Sequence, residues 1–128
     1  MSRSPVMAPG ATAVGPYAHG VRVGDTVYLS GQTPIDGATG RLVAGGIAAQ
    51  VHQCFRNLGA VLAAAGLGFG DVVKCTVFLT DMGDFAAMNQ VYAEYFAEPY
   101  PARTTIGVAA LPLAAQVEIE IIASVPRP

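Results

Sequence analysis

The segment near the C-terminus alternates apolar and acidic residues, and this alternation constrains the fold more than any other feature. It reads Val117-Glu118-Ile119-Glu120-Ile121-Ile122 within residues 116–124. Successive side chains of a β-strand point to opposite faces of a sheet. The odd-numbered apolar residues therefore share one face, and Glu118 and Glu120 share the other. The pattern predicts a strand that is buried on one side only.

A second strand-like segment, residues 101–112, carries Arg103 and is bounded by proline at both ends. Its β-branched residues are typical of a strand. Because the connection to residues 116–124 is short, we expect the two strands to pair antiparallel and to bring Arg103 near Glu118. A buried charge is costly unless it is paired. Spacing alone leaves two interpretations, and it favours a structural salt bridge or solvated glutamates over a pocket that binds an anion and moves protons.

Two β-branched runs near the N-terminus predict a hairpin. Residues 21–23 and 26–30 flank Gly24-Asp25, and glycine tolerates the positive φ of a two-residue turn. Residues 1–13 are interpreted as a loose leader without the apolar run of a signal peptide. Gly15-Pro16-Tyr17 is expected to end this leader as a turn.

Two helices are predicted from apolar residues at three- and four-residue spacing. The first ends at Gly66, and its apolar stripe consists of Ile47, Val51, Phe55, Leu58, Leu62 and Ala65. A strand over residues 72–80 follows. Asp81 and Asp84 offer capping oxygens for the second helix, residues 85–97. Asn89 lies one position off the stripe of this helix, which is formed by Phe85, Met88, Tyr92 and Phe96.

The order of these elements predicts an α+β domain over residues 1–128, with one mixed β-sheet and two helices on one face. The helical connections of strand 72–80 permit parallel pairing there. Charged residues make up 12% of the chain, well below the ordinary share of about 25%. We therefore expect another subunit to cover part of the surface, where the sheet lacks helices.

Composition also excludes several classes of function. The net charge is −2 and the seven basic residues are scattered, which disfavours a nucleic-acid partner. No apolar stretch approaches the roughly 20 residues of a membrane-spanning helix. Cys54 and Cys75 have neither CxxC nor metal-ligand spacing, so we expect buried, reduced thiols in a cytoplasmic protein. The sequence implies no metal and no cofactor.

An ordered set of motifs runs from about Gly15 to Ala123. It comprises Gly15-Pro16-Tyr17, Leu29-Ser30-Gly31-Gln32, the segment 72–81, Asn89 with Tyr92 and Phe96, Pro101-Ala102-Arg103, and Val117-Glu118-Ile119-Glu120. Together these motifs resemble the RidA/YjgF family. The resemblance implies a chorismate-mutase-like fold assembled as a homotrimer, in which the uncovered sheet faces form a central barrel with three clefts between subunits.

Archetypal members of this family hydrolyse reactive imines and enamines to 2-keto acids and ammonia without a metal or cofactor. By resemblance, Arg103 would bind the substrate carboxylate through its planar fork of donors, and Glu118 would orient or activate water. The cleft would be lined by Tyr17, Ser30, Gly31, Asn89 and Thr105. Archetypal deaminases often carry cysteine where this chain has Thr105.

Several alternatives remain open on the sequence alone. Tyr17 can be an interface aromatic, Ser30 a hydrogen bonder at a strand end, and Glu120 competes with Glu118 for the catalytic role. The protein as a whole can be a non-catalytic trimer that binds a small carboxylate, or a deaminase dedicated to one unusual imine. Some family members have been assigned endoribonuclease or translation-inhibitor activity, but the acidic net charge argues against RNA as the substrate here.

Overall fold

A computed structural model describes residues 2–9 and 15–127, and within them it contains eight strands and two helices. The elements are β1 (Ser4–Val6), β2 (Gly20–Val23), β3 (Thr26–Gln32), β4 (Ile35–Asp36), β5 (Arg41–Leu42), α1 (Ile47–Ala64), β6 (Val72–Leu79), α2 (Phe85–Tyr95), β7 (Ala102–Gly107) and β8 (Val117–Ser124). Their order follows the prediction, with β1 and the small β4–β5 hairpin as additions.

The N-terminal hairpin is confirmed. β2 and β3 pair antiparallel with Val23 opposite Thr26, and Gly24 adopts a φ of 61° in the turn between them. The loose leader is wrong in part, because β1 pairs antiparallel with β2 and extends the sheet. Residues 1 and 10–13 of that predicted leader lie outside the described residues.

Six strands form the main sheet in the order β1-β2-β3-β8-β6-β7. The sheet is mixed, as predicted, because β6 and β7 pair parallel while β8 pairs antiparallel with both β3 and β6. The predicted antiparallel pairing of β7 with β8 is wrong, since β6 lies between them. The connection after β7 crosses the end of β6, where the Val108 N–H donates to the Leu79 carbonyl at 2.8 Å.

The alternation in β8 is confirmed residue by residue. Val117, Ile119, Ile121 and Ala123 are buried, whereas the residues between them are partly or fully exposed. Both helices pack on the buried face, as predicted from the α+β pattern. The core between sheet and helices contains fully buried side chains that include Phe55, Leu58, Leu62 and Met88.

Helix α1 ends as predicted, because Ala65 is its C-cap and Gly66 follows with a φ of 74°. Helix α2 is shorter than predicted: it ends at Tyr95, and Phe96 is extended, with φ −125° and ψ 142°. The Asp81 carboxylate caps a short 3₁₀ turn, Met82–Asp84, before α2 and accepts from the Gly83 N–H at 2.8 Å. Asp84 makes no side-chain cap on α2.

The two helices pack against each other through aromatic rings. The Phe55 ring of α1 stacks on Tyr95 of α2, with ring centres 4.5 Å apart, and meets the Tyr92 and Phe96 rings edge-on. His52 of α1 adds a polar contact, since its Nδ1 lies 2.8 Å from the Tyr95 hydroxyl. This packing holds α1 and α2 against each other.

The opposite face of the sheet has no helix on it among residues 2–9 and 15–127. Large side chains are exposed there, among them Tyr28 and Ile106. Cys54 and Cys75 are both buried and unbonded to each other, as predicted. In the described part of the chain, neither helix is both long and apolar enough to cross a membrane.

Candidate active site

Arg103 lies on the edge strand β7 and faces helix α2. Its register partner on β6 is Cys75, which in turn pairs with Ile121 of β8. Paired residues on neighbouring strands project from the same face. Because Cys75 and Ile121 are buried under the helices, the Arg103 side chain also projects toward the helix-covered side.

Two aromatic rings of α2 hold the guanidinium group. The Arg103 Cζ lies 4.7 Å from the centre of the Tyr92 ring and 5.6 Å from the centre of the Phe85 ring. Both distances lie within the range of cation–π attraction. The guanidinium forms no ion pair with any residue in 2–9 or 15–127. Arg103 is therefore a partly buried cation whose charge is available to an anion.

Asn89 occupies the same face of α2 as these two rings. Phe85, Asn89 and Tyr92 are spaced at i, i+4 and i+7, the positions that line one side of a helix. Since Arg103 contacts both the first and the third of them, Asn89 lies on the face that is turned toward Arg103. Asn89 is partly exposed, so its amide remains accessible beside the cation.

Three side chains with buried polar atoms, Cys75, Tyr92 and Thr105, belong to the helix-covered side near Arg103. Burial raises the pKa of the Cys75 thiol to about 12, although the nearby Arg103 charge opposes the rise. Burial likewise raises the pKa of Tyr92 to about 12, with the Cys75 thiol adding to the shift. The Tyr92 hydroxyl and the Thr105 Oγ1 atom are both buried without a hydrogen-bond partner among the described residues.

Glu118 lies on the opposite, uncovered face of the sheet. Its register partner is Phe78, and its side chain packs against Gly31 at the irregular segment of β3 between Leu29 and Gln32. A Cβ atom at Gly31 would lie only 2.9 Å from the Glu118 Oε2 atom. Glycine is thus required at position 31 for this placement of the carboxyl group. Burial raises the pKa of Glu118, and the charge of Glu120 raises it further.

Ser30 and Tyr17 belong to the segment around Gly31. The Ser30 hydroxyl donates to the Ala18 carbonyl at 2.7 Å, and its N–H donates to the His19 carbonyl at 2.9 Å. The side chain of Ser30 therefore acts as a hydrogen bonder at the end of the strand. Tyr17 is 48% exposed, and its ring is free to meet a ligand or another subunit.

The predicted site residues therefore fall into two groups in one chain. Arg103, Thr105 and Asn89 lie on the helix-covered side of the sheet, whereas Glu118 and Gly31 lie on the uncovered side. The expected proximity of Arg103 and Glu118 is wrong for a single chain, because β6 separates their strands and the two side chains project from opposite faces.

Glu120 has different neighbours from Glu118. It pairs in register with Thr76 and lines a cavity of about 160 Å³ on the uncovered face. Lys74 lines the same cavity, and its Nζ atom donates to the Thr104 hydroxyl at 2.7 Å. Glu120 therefore acts on Glu118 through its charge, and the Gly31 contact belongs to Glu118.

The helical pattern predicts Phe85 and Tyr92 as part of the buried stripe of α2 and does not predict their contact with Arg103. Phe85 is in fact 37% exposed, whereas Tyr92 is 6% exposed. The available signal was their spacing around Asn89. In the structure these two rings flank the Arg103 guanidinium, which lies within cation–π distance of both.

Comparison with known proteins identifies the family of this chain. The sequence profile of the family described as endoribonuclease L-PSP matches residues 7–125. The human protein named 2-iminobutanoate/2-iminopropanoate deaminase is 46% identical over 120 residues, which span 94% of this chain and 86% of the human protein.

Solved structures are similar over nearly the whole chain. The crystal structure of RidA from the Antarctic bacterium Psychrobacter sp. PAMC 21119 has a TM-score of 0.91 and 46% identity, and the match covers 96% of this chain and 100% of that one. The structure of E. coli TdcF with bound serine has a TM-score of 0.89 and 40% identity, covering 96% and 99% of the two chains. From its profile match, its relatives and its fold, this chain belongs to the RidA/YjgF family, the family described as endoribonuclease L-PSP.

Proposed function

We propose that this protein hydrolyses reactive 2-iminoacids and their enamine tautomers to 2-keto acids and ammonia, without a cofactor. The observation that carries the proposal is the Arg103 guanidinium, which is stacked on two rings and has no carboxylate partner in the described part of the chain. Such a cation suits the carboxylate of a 2-iminoacid. The name of the human relative supports the same reaction.

The complete site in this proposal is formed by two copies of the chain. One subunit supplies Arg103, with Asn89 and Thr105, from its helix-covered side. The next supplies Glu118 and Gly31, with Tyr17 and Ser30, from its uncovered side. Closed rings of identical subunits join unlike surfaces in this way, and a homotrimer with a central barrel is the ring that we propose. The exposed large apolar side chains on the uncovered face, Tyr28 and Ile106, and the low charge of the chain support such an assembly.

The proposed mechanism needs one cation and one carboxylate. Arg103 binds the substrate carboxylate with two parallel N–H donors, which fixes the imine carbon in the cleft. Glu118 accepts a proton from water as the water oxygen bonds to that carbon. The proton then passes from Glu118 to the nitrogen, and the carbon–nitrogen bond breaks with its electron pair on nitrogen. Ammonia leaves as the hydroxyl oxygen gives its remaining proton to Glu118 and the carbonyl forms.

Glu118 suits this role because its raised pKa makes it a stronger base than an ordinary glutamate. A protonated imine is a good electrophile, so the addition of water depends more on the position of the water molecule than on the strength of the base. The Gly31 contact supports such placement, since it limits where the carboxyl group can lie.

A non-catalytic carboxylate-binding protein is the second candidate. The same stacked Arg103 favours it, and E. coli TdcF is a relative that was crystallised with bound serine. An endoribonuclease role has less support, because the basic side chains are scattered and the net charge is −2.

A coupled assay separates these functions. An amino-acid oxidase generates 2-iminopropionate or 2-iminobutyrate, and the release of keto acid is followed with and without this protein. We expect acceleration by the wild-type protein and its loss in Arg103→Ala. Arg56→Ala is the control, because Arg56 is an exposed cation of α1 that contacts Gln53.

Acceleration that survives Arg103→Ala would contradict the proposal. Failure of the folded wild-type protein to accelerate either imine would favour the binding protein instead. That second function predicts stabilisation of the wild-type protein by 2-ketobutyrate, and no stabilisation of Arg103→Ala.

A further inference from the structure

The Tyr92 ring lies directly against the cation that the proposed reaction needs. Its centre is 4.7 Å from the Arg103 Cζ atom, closer than the Phe85 ring at 5.6 Å. An arginine side chain is long and flexible, and two-point binding of a carboxylate requires a defined orientation of its guanidinium plane. No side-chain ion pair within residues 2–9 and 15–127 provides that orientation.

We propose that Tyr92 is a positioning residue, whose ring orients the Arg103 guanidinium for binding of the substrate carboxylate. This inference rests on the proposed function and adds to it a residue on α2 that no role has been given. Tyr92 does not touch the substrate; it acts through Arg103.

The Tyr92 ring is rigid enough for this role. It is 6% exposed, and it packs against Phe96 with ring centres 4.6 Å apart and against Phe55 with ring centres 6.0 Å apart. Phe55 is fully buried. These contacts thus connect Arg103 through Tyr92 to the buried core.

Stacking has an advantage over an ion pair at this position. A carboxylate partner would occupy the N–H donors of Arg103 and neutralise its charge. An aromatic face restricts the guanidinium through dispersion and cation–π attraction and leaves the N–H groups at the edge free. The cation is therefore both held and available, which is what binding an anion requires.

The ring rather than the hydroxyl carries this role. The Tyr92 hydroxyl is buried, and no described residue meets the geometry of a full hydrogen bond to it. Its one polar neighbour among the described residues that affects its pKa, apart from Arg103, is the weakly bonding Cys75 thiol. Removing the hydroxyl should therefore cost little, whereas removing the ring should release the guanidinium. This difference makes the proposal testable with two substitutions at one position.

The experiment compares Tyr92→Leu with Tyr92→Phe and with Tyr95→Leu. Tyr95 is the matched control, because it is a tyrosine on the same helix that stacks on Phe55 and has no contact with Arg103. The probes are 2-ketobutyrate, a carboxylate, and 2-oxobutanamide, its neutral amide. Dissociation constants are measured by calorimetry, and folding is checked by thermal melting.

We expect Tyr92→Leu to weaken binding of 2-ketobutyrate about fivefold, the range of a partly exposed cation–π contact, with no effect on the amide. Tyr92→Phe should keep most of the affinity, and Tyr95→Leu should bind as the wild type does. In the coupled assay, Tyr92→Leu should raise KM with little change in kcat. In the Arg103→Ala background, Tyr92→Leu should weaken carboxylate binding no further.

Wild-type affinity in a folded Tyr92→Leu protein would overturn the inference, and so would an equal loss in Tyr95→Leu. If Tyr92→Leu does not fold, Tyr92→Met provides the same comparison with a more adaptable side chain. The binding measurements need no turnover. A wild-type protein that binds 2-ketobutyrate through Tyr92 and Arg103 but hydrolyses no imine would therefore contradict the proposed function alone.

Discussion

Arg103 and Glu118 project from opposite faces of one sheet, Arg103 toward α2 and Glu118 toward the uncovered side. The two strands that carry them are separated by β6, whose Cys75 pairs with Arg103 and whose Phe78 pairs with Glu118. Their side chains therefore have different neighbours: aromatic rings for the cation, and Gly31 for the carboxylate. This separation underlies the proposal that the two groups of one cleft come from two copies of the chain.

The first prediction is that two inactive variants restore activity when they are assembled together. Arg103→Ala subunits retain the Glu118 side of the cleft, and Glu118→Ala subunits retain the Arg103 side. When equal amounts assemble at random into a ring, each of the two subunits at a cleft has about one chance in two of carrying the required group. About a quarter of the clefts therefore contain both Arg103 and Glu118. Imine hydrolysis by the refolded mixture should thus reach about a quarter of the wild-type rate.

Refolding each variant alone serves as the control and should give no activity. A mixture that also stays inactive, although mass spectrometry detects mixed oligomers, would show that Arg103 and Glu118 do not act across subunits.

The second prediction concerns Gly31. A Cβ atom at this position would lie 2.9 Å from Oε2, 3.1 Å from Cδ and 3.3 Å from Cγ of Glu118, so Gly31→Ala should displace the whole carboxyl group. A misplacement of this size can lower kcat about 10- to 100-fold. Gly37→Ala is the control, because nothing lies within 4 Å of a Cβ there. Comparable rates for the two folded variants would disprove a positioning role for the Gly31 contact.

The third prediction uses pH to distinguish the two glutamates of β8. Burial and then the charge of Glu120 raise the pKa of Glu118, and the proposed base is active only when ionised. Removing the negative neighbour with Glu120→Gln should lower that pKa. The acid limb of the kcat/KM profile should then move to lower pH, with activity retained near neutrality.

Glu118→Gln should instead abolish activity at every pH. The assignment would be reversed if Glu120→Gln were the inactive variant and Glu118→Gln kept its turnover. Melting temperatures at each pH separate a change in chemistry from acid unfolding.

The fourth prediction concerns the aromatic packing between α1 and α2. Phe55 is fully buried and contacts the rings of Tyr92, Tyr95 and Phe96. Phe55→Ala should lower the free energy of unfolding by about 3–5 kcal/mol. Tyr100→Ala, an exposed aromatic residue, should change it by less than about 0.5 kcal/mol. Urea unfolding at a fixed protein concentration measures both, and equal effects would contradict a central role for Phe55.

Local patterns predicted the elements well. The alternation in β8, the spacing of the α1 stripe with its stop at Gly66, and the turn at Gly24 all follow from interactions between residues close in the chain. The end of α2 was predicted less well, because Phe96 is buried although it is no longer helical. Phe96 is apolar because its ring packs in the core, and this makes the helical spacing of apolar residues run one position beyond the end of the helix.

The amino-acid sequence by itself determined which faces are apolar, where the chain turns, and which side chains could bind an anion or activate water. Those properties are local, since they depend on side-chain chemistry and on the periods of strand and helix. Only the tertiary structure decided that β6 lies between β7 and β8, that Arg103 rests on Tyr92, and that Glu118 faces the other way. Strand order depends on contacts between residues distant in the chain, and a short connection does not determine which strands become neighbours.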